Sequence, residues 1–255
     1  MTLRPESIAA FRQSSERLNK RETLGATDNS ETWALRSSIA EYQKSFEPFL
    51  GGLSFEAYLN ERHERGLSNV VVDLASDGSP LLELDHDGAL AVGLSDPKTS
   101  DELTNAYKKA NVDVITGSLT TQKTWNAMDT WLADHKQPFF DVALYRPMGG
   151  MVYIGAQPSE VEKDLERFDE GVALALLTRL YPRLSKQGGE LFAVLDNKEV
   201  LSGIIVTFIR AWVGELNNQP GIEARLDDGT NTYGQVVFWM KKHPKAPDAL
   251  PTLSE

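Results

Sequence analysis

The strongest constraint on this chain is a change of hydrophobic period. From Asn69 onward, short β-branched apolar runs alternate with amphipathic segments, strand then helix, five times over. The expected strands are Val70 to Leu74, Ala89 to Leu94, Val112 to Thr116, Phe140 to Tyr145 and Glu190 to Leu195. The expected helices are Pro80 to Leu84, Thr99 to Ala110, Thr121 to Asp134, Glu160 to Leu184 and Lys198 to Leu216. Continuous apolar runs suit strands covered on both faces, so the alternation predicts an α/β architecture around a doubly wound, mostly parallel sheet. After Pro220 the pattern changes again. Ile222 to Leu226 and Gln235 to Lys241 flank Asp227-Asp228-Gly229, which predicts a C-terminal antiparallel hairpin.

The first 66 residues read instead as an N-terminal helical extension or cap, with helices over Glu6 to Lys20 and Ser30 to Phe49 and a third opening at Ser54 and closed by Gly66. Residues 67–243 then form the α/β domain, and residues 244–255 a loose acidic tail. The N-terminus lacks the apolar core of a signal peptide. The most apolar stretch, Val200 to Val213, is too short to span a bilayer and carries Arg210, so no membrane association is expected.

Composition narrows the chemistry. The chain has no cysteine among its 255 residues, which removes disulfide frameworks, thiol nucleophiles, iron–sulfur clusters and thiolate zinc sites, and fits a cytoplasmic location. A net charge of -11 argues against a surface that coats bulk nucleic acid. The four histidines are scattered without metal-ligand spacing, so no metal site is expected. There is no GxxxxGK[ST] loop, GxSxG elbow or GxGxxG fingerprint. Of the tryptophans Trp33, Trp125, Trp131, Trp212 and Trp239, most are expected in the core.

The remaining motifs carry a resemblance. The run Val70-Val71-Val72-Asp73-Leu74-Ala75-Ser76-Asp77-Gly78-Ser79, a strand followed by a tight turn, resembles the first motif of class I S-adenosylmethionine-dependent methyltransferases, an apolar strand followed by DxGxGxG. Asp73 matches, while Ala75, Asp77 and Ser79 stand where the family has glycine. Ala89 to Asp96 is similar to the second strand, with Ser95 at the place of the ribose-binding acid and Asp96 after it. Val112 to Leu119 resembles the third, with Ser118 at the place of the acid that meets adenine. Phe140-Asp141 and the strand they open look like the fourth motif, whose tip here is Tyr145-Arg146-Pro147. Ala173 to Val194, with Gly188-Gly189, is similar to the helix, turn and fifth strand of the same fold.

The resemblance implies a Rossmann-like sheet of methyltransferase type with S-adenosylmethionine as cofactor. Asp73, Ala75, Ser76, Asp77, Gly78, Ser95, Asp96 and Ser118 would hold that cofactor, and Tyr145 and Arg146 would face a small-molecule or protein methyl acceptor. Each departure has a local reading as well. Asp77-Gly78-Ser79-Pro80 equally makes a turn and helix start, Asp96 a cap before Pro97, and Arg146 a cation paired within a folded loop. Three functions therefore stay open. One is a methyltransferase-like protein; another is a catalytically inactive protein of the same fold that serves as a binding or scaffold module, since the departures fall on the cofactor side while the packing motifs persist; the third is an α/β enzyme that takes another ligand in the same crevice.

Overall fold

The computed structural model describes residues 38–93, 101–119, 121–146, 176–197 and 203–251. Ser95 and Asp96 lie outside the described residues, as do residues 160–175 of the expected fourth crossover helix. Seven strands form one sheet in the order β3-β2-β1-β4-β5-β7-β6. They are β1 (Val70–Leu74), β2 (Gly88–Gly93), β3 (Val112–Thr116), β4 (Val142–Tyr145), β5 (Gly189–Asn197), β6 (Ile222–Asp228) and β7 (Gln235–Lys242). β1 to β5 run parallel to one another, while β7 lies antiparallel to both β5 and β6. This is the doubly wound Rossmann-like sheet of methyltransferase type, closed by an antiparallel hairpin, that the strand–helix alternation and the resemblance imply.

Five described helices cover the sheet: α1 (Ile39–Phe46), α2 (Phe55–Glu64), α3 (Asp101–Lys109), α4 (Gln122–Asp134) and α5 (Gly203–Asn218). Side-chain alternation along each strand sends residues to two separate cores. Val70, Val72 and Leu74 of β1 pack with Trp125 and Met128 of α4 and with Phe208, Trp212 and Leu216 of α5. Val71 points the other way, into a core shared with Tyr42 and Phe46 of α1, Phe55 and Leu59 of α2, Tyr107 of α3 and Phe192 of β5. Trp125, Trp131, Trp212 and Trp239 are all buried, as their placement on helices and the last strand suggests. No described helix is long and apolar enough to cross a membrane.

Local chemistry sets the ends of α1 and α2. The Glu41 carboxylate reaches back to accept from the Ser38 backbone N–H at 2.7 Å, and the Ser54 hydroxyl accepts from the Ala57 N–H at 3.1 Å. Several boundaries differ from those expected. Ser79–Glu83 is a short 3-10 segment rather than an α-helix, with Gly78 at φ 81° before it and Pro80 in its first turn. Phe140 joins the sheet only through an isolated bridge to Leu184, so β4 starts at Val142. The segment after His243, expected to be loose, is held through Pro251. Ala246 and Leu250 are buried, the Pro247 carbonyl accepts from the Tyr181 hydroxyl at 3.0 Å, and the Pro251 carbonyl accepts from the Trp212 indole at 2.9 Å. Two buried apolar side chains and two hydrogen bonds to core aromatics outweigh the polar composition of that segment.

A charged network pins the amino-terminal edge of the sheet. Glu190, fully buried at the start of β5, accepts from Arg62 of α2, from the Tyr58 hydroxyl, from the Trp239 indole at 3.1 Å and from Lys241 at 2.9 Å. Burial pushes the Glu190 carboxyl up, but Arg62, Lys241 and the Tyr58 hydrogen bond outweigh it and hold the group below its usual range. Beside it, Asp141 accepts from the Ser68 hydroxyl and, at 3.1 Å, from the Val70 N–H, which ties the starts of β1 and β4 together.

Candidate functional site

Ligands of open α/β sheets bind outside the carboxyl ends of the strands, at the point where the strand order reverses. Here that point lies between β1 and β4. Asp73 is the last residue but one of β1, and the two-residue period turns its side chain to the α1 face, where it is the one carboxylate in an otherwise apolar strand. It is 0% exposed. The Tyr42 hydroxyl of α1 donates to both carboxylate oxygens, at 2.9 and 3.1 Å. Burial pushes the Asp73 carboxyl up to about 7; Asp77 adds to the rise, while hydrogen bonds from Ser76 and Tyr42 and the charge of Arg146 oppose it. Burial, followed by the neighbouring Asp73 charge, raises the Tyr42 phenol well above its ordinary value.

The turn after β1 is left-handed at two positions, Ala75 and Gly78. Ala75 sits at φ 58°, the left-handed region where the family motif has glycine. Gly78 is also left-handed, and a Cβ there would lie 2.7 Å from the Ala91 Cβ, so glycine is needed for the close approach to β2. The Asp77 carboxylate does not reach outward. One oxygen accepts from the Ser79 N–H at 2.9 Å and the other from the Ser79 hydroxyl at 2.8 Å, while the Asp77 carbonyl accepts from the Tyr107 hydroxyl at 2.7 Å. Asp77 is thus a turn-former, the local reading of its sequence. The Ser76 hydroxyl accepts from the Gly78 N–H at 3.0 Å.

At the tip of β4 the strand period separates the two expected acceptor residues. Tyr145 lies on the α4–α5 face, 2% exposed, and its hydroxyl has no hydrogen-bond partner among the described residues. Burial alone raises its phenol well above the ordinary value. Arg146 belongs to the opposite, Asp73 side. Its Nε donates to the Ser45 hydroxyl at 2.9 Å, and its guanidinium lies 5.8 Å from the Tyr42 ring and 5.6 Å from the Tyr233 ring. The Ser45 hydroxyl in turn donates to the Gln235 side-chain carbonyl at 2.8 Å. The Lys44 ammonium lies 5.9 Å from the centre of the same Tyr233 ring, which is exposed. The loop carrying Tyr233 is anchored by Asp227, which accepts from the Thr230 and Asn231 backbones, and by Glu47, which accepts from the Thr232 hydroxyl and N–H.

Ser118 stands just after β3, and its carbonyl accepts from the N–H and hydroxyl of Thr121 at 3.1 and 3.0 Å, which starts α4. So Asp73, Ser76 and Arg146 share one environment, Asp77 and Gly78 shape the turn beside it, Ser118 stays near the third strand, and Tyr145 faces the other core. Tyr42, Ser45, Tyr233 and Gln235 complete this environment although no sequence motif marks them. Tyr42 reads as one more apolar anchor of α1; only the position of Asp73 opposite it gives the hydroxyl a role. No group of three or more histidine and acidic residues capable of holding a metal ion occurs among the described residues.

No protein-family model matches the chain. No curated protein sequence matches it either. Solved structures similar to it include an O-methyltransferase from Bacillus cereus in complex with SAH, at 14% identity and TM-score 0.39, with 94% of this chain and 92% of that one covered. Another is a putative O-methyltransferase from Klebsiella pneumoniae, at 12% identity and TM-score 0.38, covering 95% and 91%. A third is the O-methyltransferase TomG from Streptomyces achromogenes, in complex with SAM, at 12% identity and TM-score 0.37, covering 90% and 98%.

Proposed function

We propose that the chain is an S-adenosylmethionine-dependent methyltransferase acting on a small-molecule acceptor. The observation that carries this reading is the β1 turn at the switch point: a buried carboxylate, Asp73, followed two residues later by a left-handed Ala75. An L-residue held left-handed keeps the course of a glycine turn, and the Ala75 Cβ is the added group that a ligand there would have to accommodate. In this reading Asp73 and the turn from Ala75 through Ser76 and Asp77 to Gly78 serve the cofactor's amino-acid end, Ser95 or Asp96 its ribose, and Ser118 its adenine. The cofactor, when bound, supplies an electrophilic methyl group. Transfer by in-line displacement depends chiefly on alignment, so the site needs no dedicated acid–base pair. Arg146, Lys44 and Tyr233 line the acceptor side, and Tyr145 reaches it only from the opposite face of the sheet.

One observation favours the second reading, an inactive protein of the same fold that binds a protein partner. Both Asp73 oxygens already accept from Tyr42, and the group is sealed from solvent, so a cofactor ammonium meets Asp73 only if α1 yields. Calorimetric titration with S-adenosylmethionine and S-adenosylhomocysteine separates the two. The methyltransferase reading expects micromolar affinity for both and a raised melting temperature; absence of heat and of any thermal shift at millimolar ligand overturns it. Loss of affinity in Asp73→Ala well beyond its loss of stability would assign the cofactor to this end of the sheet.

A further inference from the structure

A cavity of about 270 Å³ lies at the amino-terminal end of β5, between α2, the turn that precedes it, the start of β5 and the end of β7. One wall is apolar, made by Phe49, Leu50, Leu53 and Leu67. The other carries Tyr58, Glu61, Arg62, Arg65, Glu190 and Lys241. Three cations against two carboxylates make this a locally positive spot in a chain of net charge -11.

The hydrogen-bond inventory decides what this wall offers an occupant. Glu190 accepts four hydrogen bonds, two on each oxygen, which fills its lone-pair sites. Arg62 is saturated as well, with bonds to Asn69, Gly188, Ser68, Asp141 and Glu190. Glu61 is engaged by Arg65 at 2.9 Å. Lys241, by contrast, has three N–H donors and one acceptor, Glu190, among the described residues. Arg65 is two-thirds exposed and uses one guanidinium nitrogen on Glu61. The wall therefore presents several unused donors, on Lys241 and Arg65, against the second oxygen of a half-exposed Glu61, and its charge is net positive, which favours an anion over a cation or an amine.

We infer that this cavity binds a small amphiphilic carboxylate, its head on Lys241 and Arg65 and its tail against Phe49, Leu50, Leu53 and Leu67. The volume falls just under the roughly 300–1,000 Å³ of drug-sized pockets, so the occupant has on the order of ten non-hydrogen atoms. A medium-chain fatty acid or an aryl-alkyl carboxylate has that size and polarity. The site is separate from the crevice proposed for the cofactor: Glu190 is in register with Val71, two strands from Asp73 and two residues nearer the amino ends of the strands.

The probe is octanoate, titrated into the full chain by calorimetry and by ligand-observed NMR, with octanamide and octylamine as matched neutral and cationic controls. Octanoate is expected to bind at least tenfold more tightly than either control and to raise the melting temperature. Arg65→Gln, on an exposed side chain, and Lys241→Gln should each weaken octanoate about tenfold and leave octanamide unchanged, the size of one charge-assisted hydrogen bond. Leu53→Trp, which fills the apolar end from a half-buried position, should abolish binding while the protein stays folded. Equal binding of octanoate and octanamide, equal binding to the Leu53→Trp variant, or no binding at 10 mM on the order of a weak metabolite contact overturns the inference. These outcomes do not depend on whether S-adenosylmethionine binds.

Discussion

Asp73→Asn removes one ionisable group from the sheet while keeping its shape and an oxygen for the Tyr42 hydroxyl. In the folded protein burial pushes this carboxyl from 3.8 up to about 7. Between those two values the folded chain holds a proton that the unfolded chain has released. Stability therefore falls as pH rises through that window, by about 1.4 kcal/mol per pH unit, and is flat above it. Over three units the contribution amounts to roughly 4 kcal/mol, fully present below the unfolded value and lost by neutral pH. The asparagine variant lacks this dependence. Urea unfolding of both proteins at matched ionic strength, from about pH 4.5 to about pH 8.5, isolates the group, because all other carboxylates contribute to both curves. The variant's advantage over wild type should grow steadily to about pH 7 and then level off. A difference that stays constant across the window would refute the reasoning, since it would mean that Asp73 titrates as a solvated carboxylate and that α1 does not seal it.

Two further substitutions test other parts of the structure. Ala75→Gly relieves an L-residue held at φ 58° and should raise stability by about 1 kcal/mol in the same urea assay, whereas destabilisation would show that the turn does not adopt the left-handed conformation. Glu190→Gln leaves Arg62 buried without its counter-charge and should cost about 3–5 kcal/mol; a loss under 1 kcal/mol would mean that solvent reaches the network.

Much of the candidate site was legible as positions and little of it as partners. Asp73 is visible at the end of an apolar strand, and the Asp77-Gly78-Ser79-Pro80 turn follows from short-range chemistry, since its hydrogen bonds join residues two apart. The separation of Tyr145 from Arg146 also lies in the sequence, because neighbours on a strand face opposite ways. Tyr42 and Ser45 were not legible. Their hydroxyls look like incidental decoration on a helix until the fold sets Asp73, 31 residues on, and Gln235, 190 residues on, beside them. The hold on residues 244–251 escaped for the same reason, since the carbonyls of Pro247 and Pro251 meet Tyr181 and Trp212 only after the chain has returned across the sheet.

By itself the sequence determined the architecture: continuous apolar runs alternating with amphipathic segments call for strands covered on both faces by helices, and the pattern after Pro220 for a terminal hairpin. Tertiary structure alone decided the electrostatics. Whether Asp73 is a solvated acid or a sealed one near neutrality, and whether Glu190 is an apolar strand's anomaly or the hub of a four-donor network, depends on which side chains arrive from distant segments. Hydrophobic burial is encoded in local periodicity, whereas the desolvation and pairing of a charge are properties of the packed whole.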